Sequence, residues 1–587
     1  MNKIFKVIWS KSKQCYVVVS ELAKNTTGKK KIVVASVFAA LAMTGGMQNV
    51  HAIGGTGNQA GWTSGPNVGT AFNSTQGLVI GPNKGSDTTT ANGNVATVAV
   101  GTASKAYGSS SVAMGGGTAY ANTAGTAGPV TNQGGAIALG WVTAKGNRAV
   151  ALGGIDTTSA TGDNSFATSG GVANGDNTSA LNGSQATGDN SFAATGGVAN
   201  GTSTIAIGST VTASGTAATA IGSNGTNANG YGATAIGRNA KVTAEKSVAL
   251  GFDLNVAHSG STLVGYNSNV LANQATGIGS TINIESTAQY ATGIGYQVDV
   301  TGKNGIAIGS SDDSGTHTAA RAKDAIAIGT ATVTSAEGAT AIGKKAAASK
   351  ADAIAFGTSA AASESNAVAI GKNTTASGLD SIAIGGETTA TDAAKATGSK
   401  AIAVGAKSAA SGQSAIALGD TAVASALNGV ALGVETNSSK DSAVAIGNQV
   451  TGSGKYSVAV GYSTSASAEG ALAFGESTTA SGEHGLALGT LATASNTNTI
   501  AAGHSSVASG LAATAIGLSA KAQSAGTVAL GRQAVIDNKS ASSMALGDGA
   551  SITNATYATA LGAGAKANNY HAVALGADSE TADKVST

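Results

Sequence analysis

Apolar and polar positions alternate in short bursts along most of this chain. Ser381-Ile382-Ala383-Ile384-Gly385 is typical: two large aliphatic residues stand two apart, alanine sits between them, and glycine closes the phrase. A spacing of two is the strand period, because successive side chains point to opposite faces. A thinner alternation follows each burst, as at Ala422 and Ala424 in Gly419–Ala426. The pattern predicts a unit of strand, turn, strand, turn. A helix is the competing reading for alanine-rich sequence. It fails because the apolar spacing is two, β-branched residues fill the large positions, and glycine interrupts every unit.

The unit recurs at a fixed period. The closing glycines Gly405, Gly419, Gly433, Gly447, Gly461 and Gly475 fall on every fourteenth position, and the series continues to Gly531. These glycines are read as the bends of the coil. From Gly208 to Gly309 the steps vary between fourteen and sixteen, and "TGDNSFATSGGVANG" followed by "TGDNSFAATGGVANG" marks slightly shorter coils, of thirteen, before that. A period kept over several hundred residues predicts a solenoid with parallel ladders. Proline would break such ladders, and Pro66, Pro82 and Pro129 all precede the regular array. At about 4.8 Å per coil, the array from Gly208 to Gly576 rises roughly 120 Å. The steps Gly309–Gly329 and Gly385–Gly405 are each longer than the regular step by six. Their extra residues are expected to leave the roll as loops, Ser310–Asp324 being the more charged.

A coil of this size is expected to enclose two large side chains and two alanines. That burial yields only a few kcal/mol at about 0.8 kcal/mol per methylene, whereas ordering each residue's backbone costs about 1–2 kcal/mol. The deficit predicts self-association along the array. The column Ala383, Ala403, Ala417, Ala431, Ala445, Ala459 is expected to form the face where copies meet, because small side chains let backbones approach.

Composition agrees with a thin, repetitive fold. The chain has 587 residues, 86 of them glycine, with 11% charged and 4% aromatic residues. The N-terminus reads as an address. Lys29-Lys30-Lys31 precedes a short apolar run, and Val50-His51-Ala52 offers a cleavage site, so cutting is expected between Ala52 and Ile53. Residues 1–52 carry eight lysines and one glutamate, which leaves 24 basic and 29 acidic residues, a net charge of −5. The whole-chain pI of 8.4 therefore misleads, and no basic stripe points to nucleic acid. The single cysteine, Cys15, lies in the leader, so the mature chain forms no disulfide.

Chemistry is sparse. His258, His317, His484, His504 and His571 lack metal-ligand spacing. "TGDNS" resembles an Asp/Asn calcium loop but has neither the EF-hand spacing nor the glycine-rich calcium-roll pattern. The glycines in "ALGG" are bend residues rather than a phosphate loop, since no Lys-Ser/Thr and no helix follow. No catalytic, cofactor-binding or metal-binding residue is assigned, and no enzyme activity is expected. An ice-binding solenoid would need a threonine ladder on successive coils, and the second-strand positions vary among Thr, Ala, Ser and Val.

Two stretches resemble a known family. "MNKIFKVIW" and "VVVSELAK" are similar to the extended signal peptide region of large Gram-negative autotransporters. "NAVAIGKNTTASG" and its relatives resemble the YadA-like head repeats of trimeric autotransporter adhesins, over about Val95–Gly576. The resemblance implies an all-β, left-handed parallel β-roll solenoid of about 14-residue coils, three chains packing around one axis. It implies a surface adhesin, exported by the Sec route in a Gram-negative bacterium. Such a head binds host extracellular-matrix proteins or cell-surface glycans. The expected division is a signal at 1–52, a lead-in or cap at 53–94, irregular coils at 95–207, regular head repeats at 208–576 and the start of a neck at 577–587. The family's stalk and outer-membrane barrel have no counterpart in this sequence, so attachment to the outer membrane would need an anchor absent from this chain. A spacer rod without its own ligand explains the repeat equally well.

Overall fold

The computed structural model describes residues 97–581 except 109, 121–134 and 155–156, together with short strands at 5–10, 15–20, 62–63, 69–70, 78–80 and 90–92. Contacts divide the chain into Met1–Gln59 and Ala60–Thr587. In the first unit Phe5–Ser10 pairs antiparallel with Cys15–Ser20. The expected cleavage point, Ala52 and Ile53, lies outside the described residues.

The second unit is a parallel β-solenoid of about 33 coils spaced about 14 residues apart, and no helix occurs among the described residues. Most coils have two strands. Ile416–Leu418 is a first strand and Val423–Ala424 the thinner second strand of the same coil. Each strand pairs with its counterpart one coil on: Ile416 with Val430, Ala417 with Ala431, Val423 with Asn437. The N–H of Ile416 donates to Gly429 O at 2.8 Å and that of Val423 to Thr436 O at 2.7 Å. The shorter coils keep the same ladder, Phe166 pairing with Ser179 and Ser179 with Phe192. Leu78–Ile80 and Thr90–Asn92, within the expected lead-in, already join it through Val98–Val100 and Lys105–Tyr107. The neck start expected at 577–587 is described only to 581, where Glu580 still bridges to Lys566.

The interior corrects the expected packing. The alanine column is not an outer face: Ala383, Ala403, Ala417, Ala431, Ala445 and Ala459 are all fully buried inside their own coil. The large partners face out, Ile384 and Leu418 each being 37% exposed. The space between the two strands of a coil is narrow, so most inward positions are held by Ala, Ser, Thr or Gly, with single larger residues such as Val211, Val450, Ile536 and Ile552 in a few coils. Most buried hydroxyls bond to a carbonyl, often at the bend, as a buried donor needs an acceptor. Thr374 Oγ1 donates to Gly371 O at 2.6 Å, Ser408 Oγ to Gly405 O at 2.8 Å and Ser506 Oγ to Gly503 O at 3.0 Å.

The turns carry more left-handed backbone than the glycines alone reveal. Gly405, Gly419, Gly433, Gly447, Gly461 and Gly475 have φ between +123° and +144°. A Cβ on Gly447 would run into the carbonyl oxygen of Gly461 directly above. Two further positions per coil are left-handed, most of them without glycine, as at Thr421 (φ +56°) and Asn428 (φ +54°). Such residues cost about 1–2 kcal/mol each, which the ladder on either side must offset.

Four coils depart furthest from the small-residue interior. Val248–Val256, Thr262–Val270, Thr276–Ile284 and Thr292–Val300 are continuous nine-residue strands that bend through the closing glycine. Their inward positions include the buried Leu254, Leu263, Ile282, Ile284, Val298 and Val300. Two glycines make room for them: a Cβ on Gly277 would meet Leu263, Val270 and Ile282, and one on Gly293 would meet Ile282 and Ile284.

Candidate binding surface

Two outward rows run along the first strands. In successive coils Val430 pairs with Val444 and Leu432 with Ile446, and both then continue to Val458 and Val460. These side chains are half-buried and form an apolar strip that runs from coil to coil, the kind of exposed patch that marks an interaction surface. Across the second strands the outward position changes from coil to coil, from Thr375 to Lys395, Ala409, Val423 and Asn437. That row holds no threonine ladder.

The corner just after the closing glycine carries a row of aromatic residues. Arg238 lies over the Phe252 ring at 5.0 Å, and Phe252 stacks on Tyr266 at 5.2 Å with planes 13° apart. Tyr266 pairs in register with Ser280, and Ser280 with Tyr296. Both tyrosines project outward, 53% and 51% exposed. Sequence reasoning passed over this row because aromatics are few and a full coil or more apart. Reading the residue after each closing glycine would have found it.

Both long steps form loops at this same corner. Ser310–Asp324 leaves after Ser310 and rejoins the ladder at Thr318–Ala320. It is pinned rather than loose. His317 Nδ1 meets Asp299 Oδ2 at 2.6 Å, and Ser311 Oγ donates to Gln297 Oε1. Asp312, whose side chain is only 8% exposed, accepts from the N–H of Thr316 at 3.0 Å and pairs with Lys345 Nζ at 3.0 Å, two coils on. The Ser314 hydroxyl, then Lys345 and the Thr316 N–H, hold the Asp312 carboxyl well below the usual carboxylate range. The second loop is held by Thr389 Oγ1 on Asp392 Oδ2 at 2.6 Å and by Asn373 Nδ2 on Glu387 O at 3.0 Å.

The remaining polar motifs have local roles. In the TGDNS repeats, Asp163 Oδ1 accepts the N–H of Asn147 at 2.7 Å, and Asp176 Oδ1 that of Asp163 at 2.8 Å. These carboxylates staple one coil to the next. Among the described residues no three His, Cys, Asp or Glu side chains are grouped to hold a metal ion, and no helix is long and apolar enough to cross a membrane.

A solenoid of this kind belongs to the class of repeat proteins, which present extended surfaces built coil by coil. Comparison with family models is more specific. Residues 1–48 match the extended signal peptide of the type V secretion system. The YadA head domain repeat matches twelve stretches: 94–118, 228–253 and ten more between 320 and 579. The chain belongs to the trimeric autotransporter adhesins with YadA-like heads. This family is adhesive rather than enzymatic, and the two matches together support export to the surface of a Gram-negative cell. The matched stretches skip 254–319, which holds most of the large-cored coils and nearly all of the pinned loop. Comparison with curated proteins returned no match.

Proposed function

We propose that this chain is the head of a homotrimeric adhesin that binds host extracellular-matrix proteins or cell-surface glycans through its repeated outer surface. The observation that carries the reading is the continuous outward strip of Val, Ile and Leu beside a variable, nearly neutral polar surface. Packing three strips against one another removes apolar area from water at about 25 cal/mol per Å². It leaves the second strands, corners and loops outward. One weak contact repeated along three chains then gains avidity. Residues 1–52 act as the removable export signal, 53–94 as the lead-in, and 95–576 as the head.

The test is a binding screen of the exported chain against matrix proteins and glycans, with its mass measured by light scattering. Binding that collapses when the assembly is driven to monomer supports the reading. A trimer that binds no matrix or cellular target is a spacer rod instead.

A further inference from the structure

We infer that the slot between Tyr266 and Tyr296, floored by Ser280, is a binding site for a neutral pyranose sugar. This deepens the adhesin reading and rests on it.

Tyr266, Ser280 and Tyr296 are register partners on three successive coils. The two tyrosines are therefore two strand spacings apart, about 9.6 Å. One coil earlier the same position is filled, Phe252 lying against Tyr266 at 5.2 Å. Serine in place of a ring thus opens a gap one ring thick between two exposed aromatic faces. A saturated six-membered ring with hydrogens on both faces touches each neighbour at about 4.0–4.5 Å, so it fills that gap. Aromatic side chains supply the apolar surface such a ring needs, with a polar handle at the edge.

The rim selects the chemistry. The next residue in each coil is Asn267, Thr281 or Gln297, each left-handed, with φ of +47°, +55° and +52°. None of these six residues carries a charge. Gln297 gives its amide oxygen to Ser311, so its N–H donors are what it offers outward. Thr281 Oγ1 and Ser280 Oγ lie 3.5 Å apart, two hydroxyls side by side at the floor. The nearby carboxylate of Asp299 is already paired with His317 at 2.6 Å. A site with two apolar walls and a few convergent neutral hydrogen-bonding groups suits a ring with C–H faces and a hydroxyl edge. An acidic sugar would find no cation at this rim.

The test uses the exported full chain and three probes: cellotriose, lactose and tri-N-acetylchitotriose, titrated by calorimetry. At least one is expected to bind. Tyr296→Ala and Ser280→Tyr, the latter filling the gap with a third ring, should each weaken it tenfold or more. Tyr462→Ala should bind as the parent does, because this equally exposed tyrosine stands between Asn448 and Glu476, with no facing ring. Unchanged melting of Ser280→Tyr separates loss of the slot from loss of fold. The proposal is overturned by silence with all three probes, or by undiminished binding in Ser280→Tyr. It is equally overturned if Ser280→Tyr breaks self-association while sugar binding is absent, which makes the slot a contact between copies. Capture of matrix proteins by the same preparation is the separating arm. Retained capture with no sugar binding removes the slot alone, whereas loss of both removes the adhesin reading as well.

Discussion

Gly277 lies against the tip of Leu263: a Cβ placed on Gly277 would stand 2.9 Å from Leu263 Cδ1 and 3.0 Å from Val270 Cγ2. The missing side chain is what admits the large residues of these coils. Gly277→Ala is therefore expected to destabilise the roll by about 1–3 kcal/mol through overpacking. Leu263→Ala in the same chain should recover part of that loss, since it removes the opposing atoms. Thermal melting of the two single variants and the double variant measures the coupling. Strictly additive effects would show that the two residues do not share one space.

The bends offer two changes of opposite sign. Gly447→Ala forces a side chain into a backbone at φ +133° and against the Gly461 carbonyl, so the melting temperature should fall. Thr421→Gly relieves a β-branched residue at φ +56°. It should gain up to about 1 kcal/mol, the left-handed penalty less the added chain entropy. Equal effects of the two substitutions would contradict these turn geometries.

Neighbouring residues separate folding from assembly. Ala445→Glu puts a carboxylate into the coil's own interior, with no partner to receive it. It should lower melting and reduce the strand signal in circular dichroism. Val444→Glu points outward and should leave the strand signal intact while reducing the mass seen by light scattering. An Ala445→Glu chain that folds normally but fails to assemble would reverse the inside and outside of the roll.

The pinned loops should resist mild acid. The carboxyls of Asp312 and Asp392 are held below their ordinary value near 3.8, Asp312 chiefly by Ser314 and Asp392 chiefly by Thr389. A group lowered in the folded state contributes stability that is complete above the ordinary value and lost as pH falls through the lowered one. Hydrogen exchange of residues 311–317 should therefore match at pH 7 and pH 5 after correction for intrinsic rates, and quicken only below pH about 4. Asp312→Asn should loosen the loop at every pH. Loop opening between pH 7 and 5 would point to another group as the anchor.

N-terminal sequencing of the exported chain should begin at Ile53, after removal of the lysine-rich leader with Cys15. A surface product that still contains Cys15 would refute cleavage at Ala52.

The sequence by itself determined the coil. Its main contacts join residues one repeat apart, so the recurrence of Gly405, Gly419 and Gly433 displays the ladder directly. The two-residue spacing of Ile416 and Leu418 marks the strand. The long steps after Gly309 and Gly385 show where loops leave. What alternation cannot say is which of two faces is inside, since Ala417 and Ile416 fit either assignment. Tertiary structure decided it: the left-handed turns bring the two strands of a coil so close that small side chains fill most of the space between them. Most isoleucines are thereby turned outward to wait for another surface; Gly277 and Gly293 give up their own volume to larger neighbours, and Ile536 and Ile552 are taken in singly. The Tyr266–Tyr296 slot was hidden for a related reason. Its walls belong to different coils, well separated along the chain, and meet only because stacking reduces that separation to two strand spacings.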